Sequence, residues 1–231
     1  MKKEVLIFGA YGALGKGVTA ALLKKNYDKV YLFDFNIEEK NPGGSAVKIN
    51  ISDLSVEQNV AEAFGKIEPS KEKLFFLYST VGGYAGGKTI TETEEEEWNR
   101  MIDMNLKSNF FIAKYFSKLV GNSAGGSICF TAAETGVNPE AGKGAYGISK
   151  SALIHLVKTL SLEGKSMNLS ANAIAPYIID TPANREWMKG GDYSAWIKPE
   201  EIGSLAHSLF VNFNFVSGNI MRLTSRFNVQ F

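Results

Sequence analysis

Val5-Leu-Ile-Phe-Gly-Ala-Tyr-Gly-Ala-Leu-Gly15 decides how the rest of the chain is read. Residues 5–8 are an apolar run of buried-strand length, and Gly9, Gly12 and Gly15 then open a helical pattern that reaches Leu23. A strand, a glycine-rich turn and a helix in that order let backbone approach a pyrophosphate, whose charge the helix N-terminus favours. Tyr11, Ala13 and Leu14 fill the turn. The spacing is G-x-x-G-x-x-G rather than G-x-G-x-x-G, so a tight turn without a ligand is the rival reading of this stretch alone.

The next run, Lys29-Val-Tyr-Leu-Phe-Asp34, is a second strand ending in an acid. It falls about 20 residues past the glycine turn, where a dinucleotide-binding unit carries its ribose-binding carboxylate. A carboxylate there repels a 2′-phosphate. Phe35 and Asn36 follow it, with no adjacent Arg or Lys, so NADH is expected over NADPH. Residues 41–45, Asn-Pro-Gly-Gly-Ser, read as a loop and 46–51 as a third strand. Asp53, followed by Leu54, either meets an adenine edge or caps a helix starting near Ser55. An amphipathic helix is expected over 56–67, and a central parallel strand over 74–79.

Four glycines then cluster in Val81-Gly-Gly-Tyr-Ala-Gly-Gly87. Val81, Gly82 and Gly83 either lie close to something flat or anionic or form a plain surface turn. The acids at 94–97 suit a first helical turn, and the pattern predicts one helix from there to Leu119. Asn105 interrupts its apolar face. It either bonds local backbone, or holds a water or bends the helix beside a site. Strands are expected over 125–131, containing Cys129 as a core residue, over 169–175, ending at Pro176, and over 219–224. Helices are expected over 145–162 and 200–210. The alternation predicts an α/β fold, a doubly wound parallel sheet (Rossmann fold), as one domain over residues 1–231. Ligands of such sheets bind beyond the carboxyl ends of the strands. The glycine turn, Asp34, the 81–87 loop, the loop after Thr131 and the segment from Pro176 through Ile179 to Thr181 should therefore share one edge.

Tyr146-Gly-Ile-Ser-Lys150 belongs at that edge too. Its tyrosine and lysine are four residues apart on one helical face. A phenol has a pKa near 10, and a neighbouring ammonium is expected to lower it into the range of acid–base work. The bland alternative is a half-buried tyrosine beside a solvated lysine.

Composition narrows the function classes. The chain has 231 residues, is 45% hydrophobic and carries a net charge of +1, so a filled core is affordable in size and no basic tract points to nucleic acid. One cysteine excludes an intrachain disulfide. His155 and His207 lie far apart, and no Cys/His cluster suggests a metal. No run has the length of a membrane span or signal sequence, so a soluble cytoplasmic protein is the expectation.

Taken together, Gly9 to Gly15, Asp34, Asp53, the turn at 81–83, Asn105, Tyr146-x-x-x-Lys150 and Pro176 to Thr181 resemble the short-chain dehydrogenase/reductase superfamily over nearly the whole chain. Gly12-Ala-Leu-Gly15, Gly82-Gly-Tyr-Ala-Gly-Gly87, Tyr146-Gly-Ile-Ser-Lys150 and Asp180-Thr-Pro-Ala-Asn-Arg185 are most similar to the dihydropteridine reductases. Most of the superfamily has a serine thirteen residues before the tyrosine, where this chain has Ala133, and a glycine after the proline, where it has Tyr177. Ala133 is what the dihydropteridine reductases carry. It argues against ordinary ketone chemistry, since a methyl cannot steady a carbonyl oxygen; Thr131 is a conceivable stand-in, two residues early.

The resemblance implies NADH (NADPH possible) on the glycine turn and a small pterin-like substrate. Tyr146 would be the proton donor, Lys150 would hold the nicotinamide ribose, Asn105 would hold a water, and Ile179 and Thr181 would flank the carboxamide. It implies a substrate site built from the 177–200 region, and Tyr84, Tyr177 and Trp187 either stack on the substrate or merely pack. It also implies a dimer or tetramer paired through the helices at 95–119 and 145–162. The rival readings are a reductase of ketones or 3-oxoacyl groups, and a protein that binds NADH without turnover.

Overall fold

The computed structural model describes residues 1–35, 37, 46–224 and 226; Asn36 and the loop at 41–45 lie outside the described residues. Strands buried between two layers need apolar side chains on both faces. β1 (Lys2–Phe8), β2 (Lys29–Asp34), β3 (Ala46–Asn50), β4 (Lys73–Ser79), β5 (Gly125–Thr131), β6 (Leu169–Pro176) and β7 (Ile220–Leu223) form one seven-stranded sheet in the order β3-β2-β1-β4-β5-β6-β7. Every pairing is parallel.

Alternate residues feed two cores. Val5 and Ile7 point to one face with Val30, Leu32 and Phe76, covered by Val18 and Leu22 of α1 (Ala13–Leu23) and by Ile202 and Phe210 of the C-terminal helix. Leu6 and Phe8 point to the other with Phe33, Phe75 and Leu77. That face is covered by α2 (Glu57–Phe64), α4 (Ser108–Gly121) and α5 (Gly144–Glu163). The chain winds outward from β1 in one direction and from β4 in the other, so the crevice where the order reverses opens at the carboxyl ends of these two strands.

Two elements differ from expectation. The helix foreseen from residue 95 to 119 is interrupted: α3 (Glu95–Ile102) passes through a π turn at Asp103–Lys107 before α4 begins. The π turn centres on Asn105, which the apolar pattern had singled out. Helix α6 (Pro182–Trp187) was not foreseen at all; Thr181 caps it and Pro182 opens it, so the local signals were present in Thr-Pro. The last helix is α7 (Pro199–Val211).

α1 and α7 touch at Gly203, where an added Cβ would stand 2.7 Å from Ala21 Cβ and 3.0 Å from the Val18 carbonyl oxygen. Gly203→Ala should therefore lower stability by about 1–2 kcal/mol, crowding outweighing the gain in helix propensity. Gly121→Ala, where an added Cβ meets nothing within 4 Å, should be neutral or slightly stabilising. Urea midpoints at constant m decide between these outcomes.

Candidate active site

Lys150 is buried on α5 and donates to the carbonyl oxygen of Thr131, the last residue of β5, at 2.9 Å. Burial penalises its charge and brings its pKa down to about 8. Tyr146 lies one turn earlier, with the ammonium 6.0 Å from its ring centre. The expectation that the lysine lowers the phenol pKa does not hold here. Burial raises it, and the neighbouring Tyr84 and Glu140 add to the rise. The ammonium is turned toward Thr131, and desolvation of the half-buried phenol outweighs its influence. Tyr146 thus holds its proton at neutral pH.

The loop after β4 lies against this pair. Gly82 adopts φ 155°, and a Cβ there would stand 2.5 Å from Asn105 Oδ1 and 2.9 Å from Lys150 Nζ, so the loop can come this close only as glycine. Asn105 is fully buried. Its Oδ1 accepts from Gly83 N and its Nδ2 donates to Gly83 O, both at 3.0 Å, and Nδ2 also reaches Ser149 Oγ at 3.1 Å. One turn on, Asn109 Nδ2 donates to Val81 O and to Asn105 O. The side-chain amide of Asn105 is thus spent on loop backbone and on α5. Thr131 fails as a stand-in hydroxyl: its Oγ1 is buried 2.9 Å from Ser79 O and 3.0 Å from Tyr78 Oη.

Along the crevice, Gly9 turns at φ 74° with Thr80 Oγ1 packed where a side chain would start. Gly15 touches the Gly9 carbonyl. Gly12, the N-cap of α1, is different. It has an ordinary extended conformation, and an added Cβ would meet only Gly9 O, at 3.5 Å. Neither a side-chain cap nor an acid in the first turn satisfies the N-terminal amides of α1, and Gly12 and Ala13 are exposed. Asp34 accepts from Tyr11 N at 2.6 Å and from Phe35 N at 2.7 Å. Tyr11 Oη, shielded from solvent, finds no partner among the described residues. Asp53 is exposed and accepts from Ser55 N at 2.8 Å in a turn ahead of α2; Leu54 packs on the core beside it.

At the mouth, a cavity of about 560 Å³ brings together Leu14, Gly83, Ala133, Tyr146, Lys150, Pro176 and Ile179. Tyr84, Tyr177 and Trp187, all largely exposed, complete its wall. Tyr84 meets Tyr146 edge-on, with ring centres 5.0 Å apart, and Trp187 at 6.0 Å. Thr181 turns its hydroxyl inward to cap α6, accepting from Asn184 N. It is not a cavity-lining side chain.

A family model described as short chain dehydrogenase matches residues 3–191. The chain belongs to the short-chain dehydrogenases. Dihydropteridine reductase of Dictyostelium discoideum is 30% identical over 87% of this chain and 85% of its own length. The 3-oxoacyl-acyl-carrier-protein reductase FabG of Chlamydia muridarum is 26% identical over 96% and 95%. Among solved structures, ElxO with NADP bound superposes with a TM-score of 0.84 at 24% identity, covering 97% of this chain and 98% of ElxO. A short-chain dehydrogenase/reductase from Mycobacterium ulcerans gives 0.83 at 22% identity, covering 96% and 88%. The protein is an oxidoreductase of this NAD(P)(H)-binding family, and no helix among its described residues is long and apolar enough to cross a membrane.

The residues present fit such a dinucleotide. Gly12 has room that its own protein does not use, the first amides of α1 have no side-chain cap, and the solvent-shielded Tyr11 hydroxyl lacks a partner among the described residues. Sequence reasoning missed Thr80, Asn109, Ser149 and the pair Glu140 and Lys143. Asn109 could have been found as the second polar residue on the Asn105 face, i+4 along the helix. Glu140 and Lys143 read as ordinary surface charges.

Lys150 makes the site pH-sensitive. Between about 8 and its ordinary 10.5 the unfolded chain holds a proton that the folded chain has released. Stability from this group therefore rises with pH through that window and is at its lowest below it. The melting-temperature difference between wild type and Lys150→Met should move in favour of wild type from about pH 8 to about pH 9.5. A flat difference across that range would contradict a depressed lysine.

Proposed function

We propose that this short-chain dehydrogenase is an NADH-preferring reductase of quinonoid dihydropterins, converting them to the tetrahydro form. One observation carries the reading. The cavity above Tyr146 has flat aromatic walls, Tyr84, Tyr177 and Trp187, and the methyl of Ala133 where a carbonyl substrate would need a hydroxyl. A quinonoid ring is electrophilic enough to take hydride without that help, and the aromatic walls suit a flat heterocycle. The relative from Dictyostelium supports the same class. FabG keeps a second reading in view, reduction of a 3-oxoacyl or ketone group, against which Ala133 counts.

When bound, NADH supplies the hydride. Gly9, Gly12, Ala13 and Gly15 would hold its pyrophosphate at the N-terminus of α1. Asp34 would accept from the adenosine ribose, with Tyr11, Phe35, Asp53 and Leu54 around the adenosine. Val81, Gly82, Gly83, Pro176, Ile179 and Thr181 would border the nicotinamide half, and Lys150 would donate to its ribose. Tyr146, whose proton is retained by burial, gives that proton to the substrate: its O–H bond breaks as the substrate gains an N–H. Asn105 acts as a positioning residue, holding the 81–83 loop. The 177–200 region forms the outer wall. Exposed Trp98, Phe110 and Ile148 on α3, α4 and α5 support pairing of two or four copies through these helices.

Wild type should oxidise NADH with quinonoid dihydropterin and be far slower with an acetoacetyl thioester. Tyr146→Phe should lower turnover by about a hundredfold or more while leaving NADH affinity, read by fluorescence titration, within about twofold of wild type. Unchanged turnover in that variant would remove the phenol from the mechanism. Asp34→Asn removes the charge facing a 2′-phosphate, so the ratio of kcat/KM for NADPH to that for NADH should rise by about tenfold; an unaltered ratio means that Asp34 does not choose the cofactor.

A further inference from the structure

Ahead of α5, Lys143 stands on the cavity wall without a part in the chemistry above, and Glu140 stands beside it. Lys143 lines the cavity beside Tyr84 and Tyr177, and its side chain is only 22% exposed. Its Nζ donates to Glu140 Oε2 at 2.8 Å, and the other oxygen of that carboxylate accepts from Thr135 Oγ1 at 2.7 Å. The backbone is tied down as well. Gly87 N donates to Gly142 O at 2.7 Å, and Lys88 and Lys143 form a short parallel bridge, so the 81–87 loop and the start of α5 make one wall.

The chemistry of the pair limits what it can recognise. Burial works against the lysine charge, but Glu140 more than offsets this and raises its pKa, with the Tyr84 and Tyr177 hydroxyls close enough to contribute. Lys143 is therefore a firmly protonated donor. One of its three N–H groups is spent on Glu140, and the adjacent carboxylate cancels its net charge. Such a group suits a neutral carbonyl acceptor on a flat ring better than a carboxylate or phosphate, which would also meet Glu140. Resting on the reading of the site as a dihydropterin reductase, we infer that Lys143 binds the substrate and selects it by donating to a ring oxo group. Glu140 is the positioning residue that aims the ammonium.

The test compares Lys143→Met, Lys143→Arg and Glu140→Gln, using quinonoid dimethyl-dihydropterin and its diamino counterpart, which carries an amino group in place of the ring oxo group. Lys143→Met should raise KM for the oxo substrate by about ten- to a hundredfold, the range of a charge-assisted hydrogen bond. Its KM for the diamino substrate should stay within about threefold of wild type, and so should its NADH dissociation constant by fluorescence. Lys143→Arg should recover most of the loss. Glu140→Gln should cost clearly less than Lys143→Met. An unchanged KM in Lys143→Met, an equal loss on both substrates, or an equal loss in Glu140→Gln would overturn the assignment and leave a salt bridge that only braces the wall. Absence of turnover by wild type with either pterin would instead overturn the parent reading, and the lysine's role as a pterin selector with it.

Discussion

The hydrogen bond from the buried Lys150 ammonium to Thr131 O, 2.9 Å long, is the constraint around which the carboxyl edge of the sheet is arranged. A lysine taken out of water is costly unless an acceptor meets it. Here the acceptor is the last carbonyl of a central strand, available because β5 stops there. That contact ties the first turns of α5 to the end of β5. It also sets the floor on which the next loop can rest, since Gly82 comes so close to Nζ that no Cβ fits. The cost shows in the lysine pKa, brought down to about 8. An acceptor supplied by a ligand would recover part of it, and this is the sense in which the site is built for something that binds.

The asparagines complete that arrangement from the other side. Asn105 and Asn109 are one turn apart and both fully buried, an unfavourable choice for the core face of a helix unless their amides are satisfied. They are satisfied by Gly83, Val81 and Ser149, and by Asn105 O. The π turn lies where these bonds are made. Turns of this kind inside helices occur often at functional sites, and this one serves the loop that faces the crevice. The π turn is thus tied to tertiary contacts rather than to a local breaker; the segment contains neither proline nor glycine.

This difference explains what could be read from the sequence. The strands were legible because burial on both faces leaves unbroken apolar runs, as in residues 74–79, and the glycine turn and Asp34 because each sits at a fixed distance from a strand end. Tyr146 and Lys150 were legible as a pair by spacing. Their electrostatics were not, because the phenol pKa depends on burial and on Tyr84 and Glu140, which the fold brings up from other segments. The break in the helix was visible only as the oddity of Asn105. Helix α6 was hidden because six residues give too short a period to recognise, though Thr181 and Pro182 marked its start. Glu140 and Lys143 were hidden for the opposite reason: a charged pair near a helix start has an ordinary surface explanation, and only the cavity removes it.

A phenol that retains its proton beside a lysine with a lowered pKa suits one direction of chemistry better than the other. A group meant to take a proton from an alcohol at neutral pH gains from being near its ionised state. Tyr146 is held away from that state by its surroundings, and Glu140 opposes its ionisation further. Donation is easiest when the acceptor becomes strongly basic as it is reduced. A ring nitrogen receiving electrons does so without a second hydroxyl to share the developing charge. On the proposed dihydropterin reading, the methyl of Ala133 and the protonated Tyr146 would be two parts of one design, in which the substrate's own electron demand replaces the hydroxyl that the site omits.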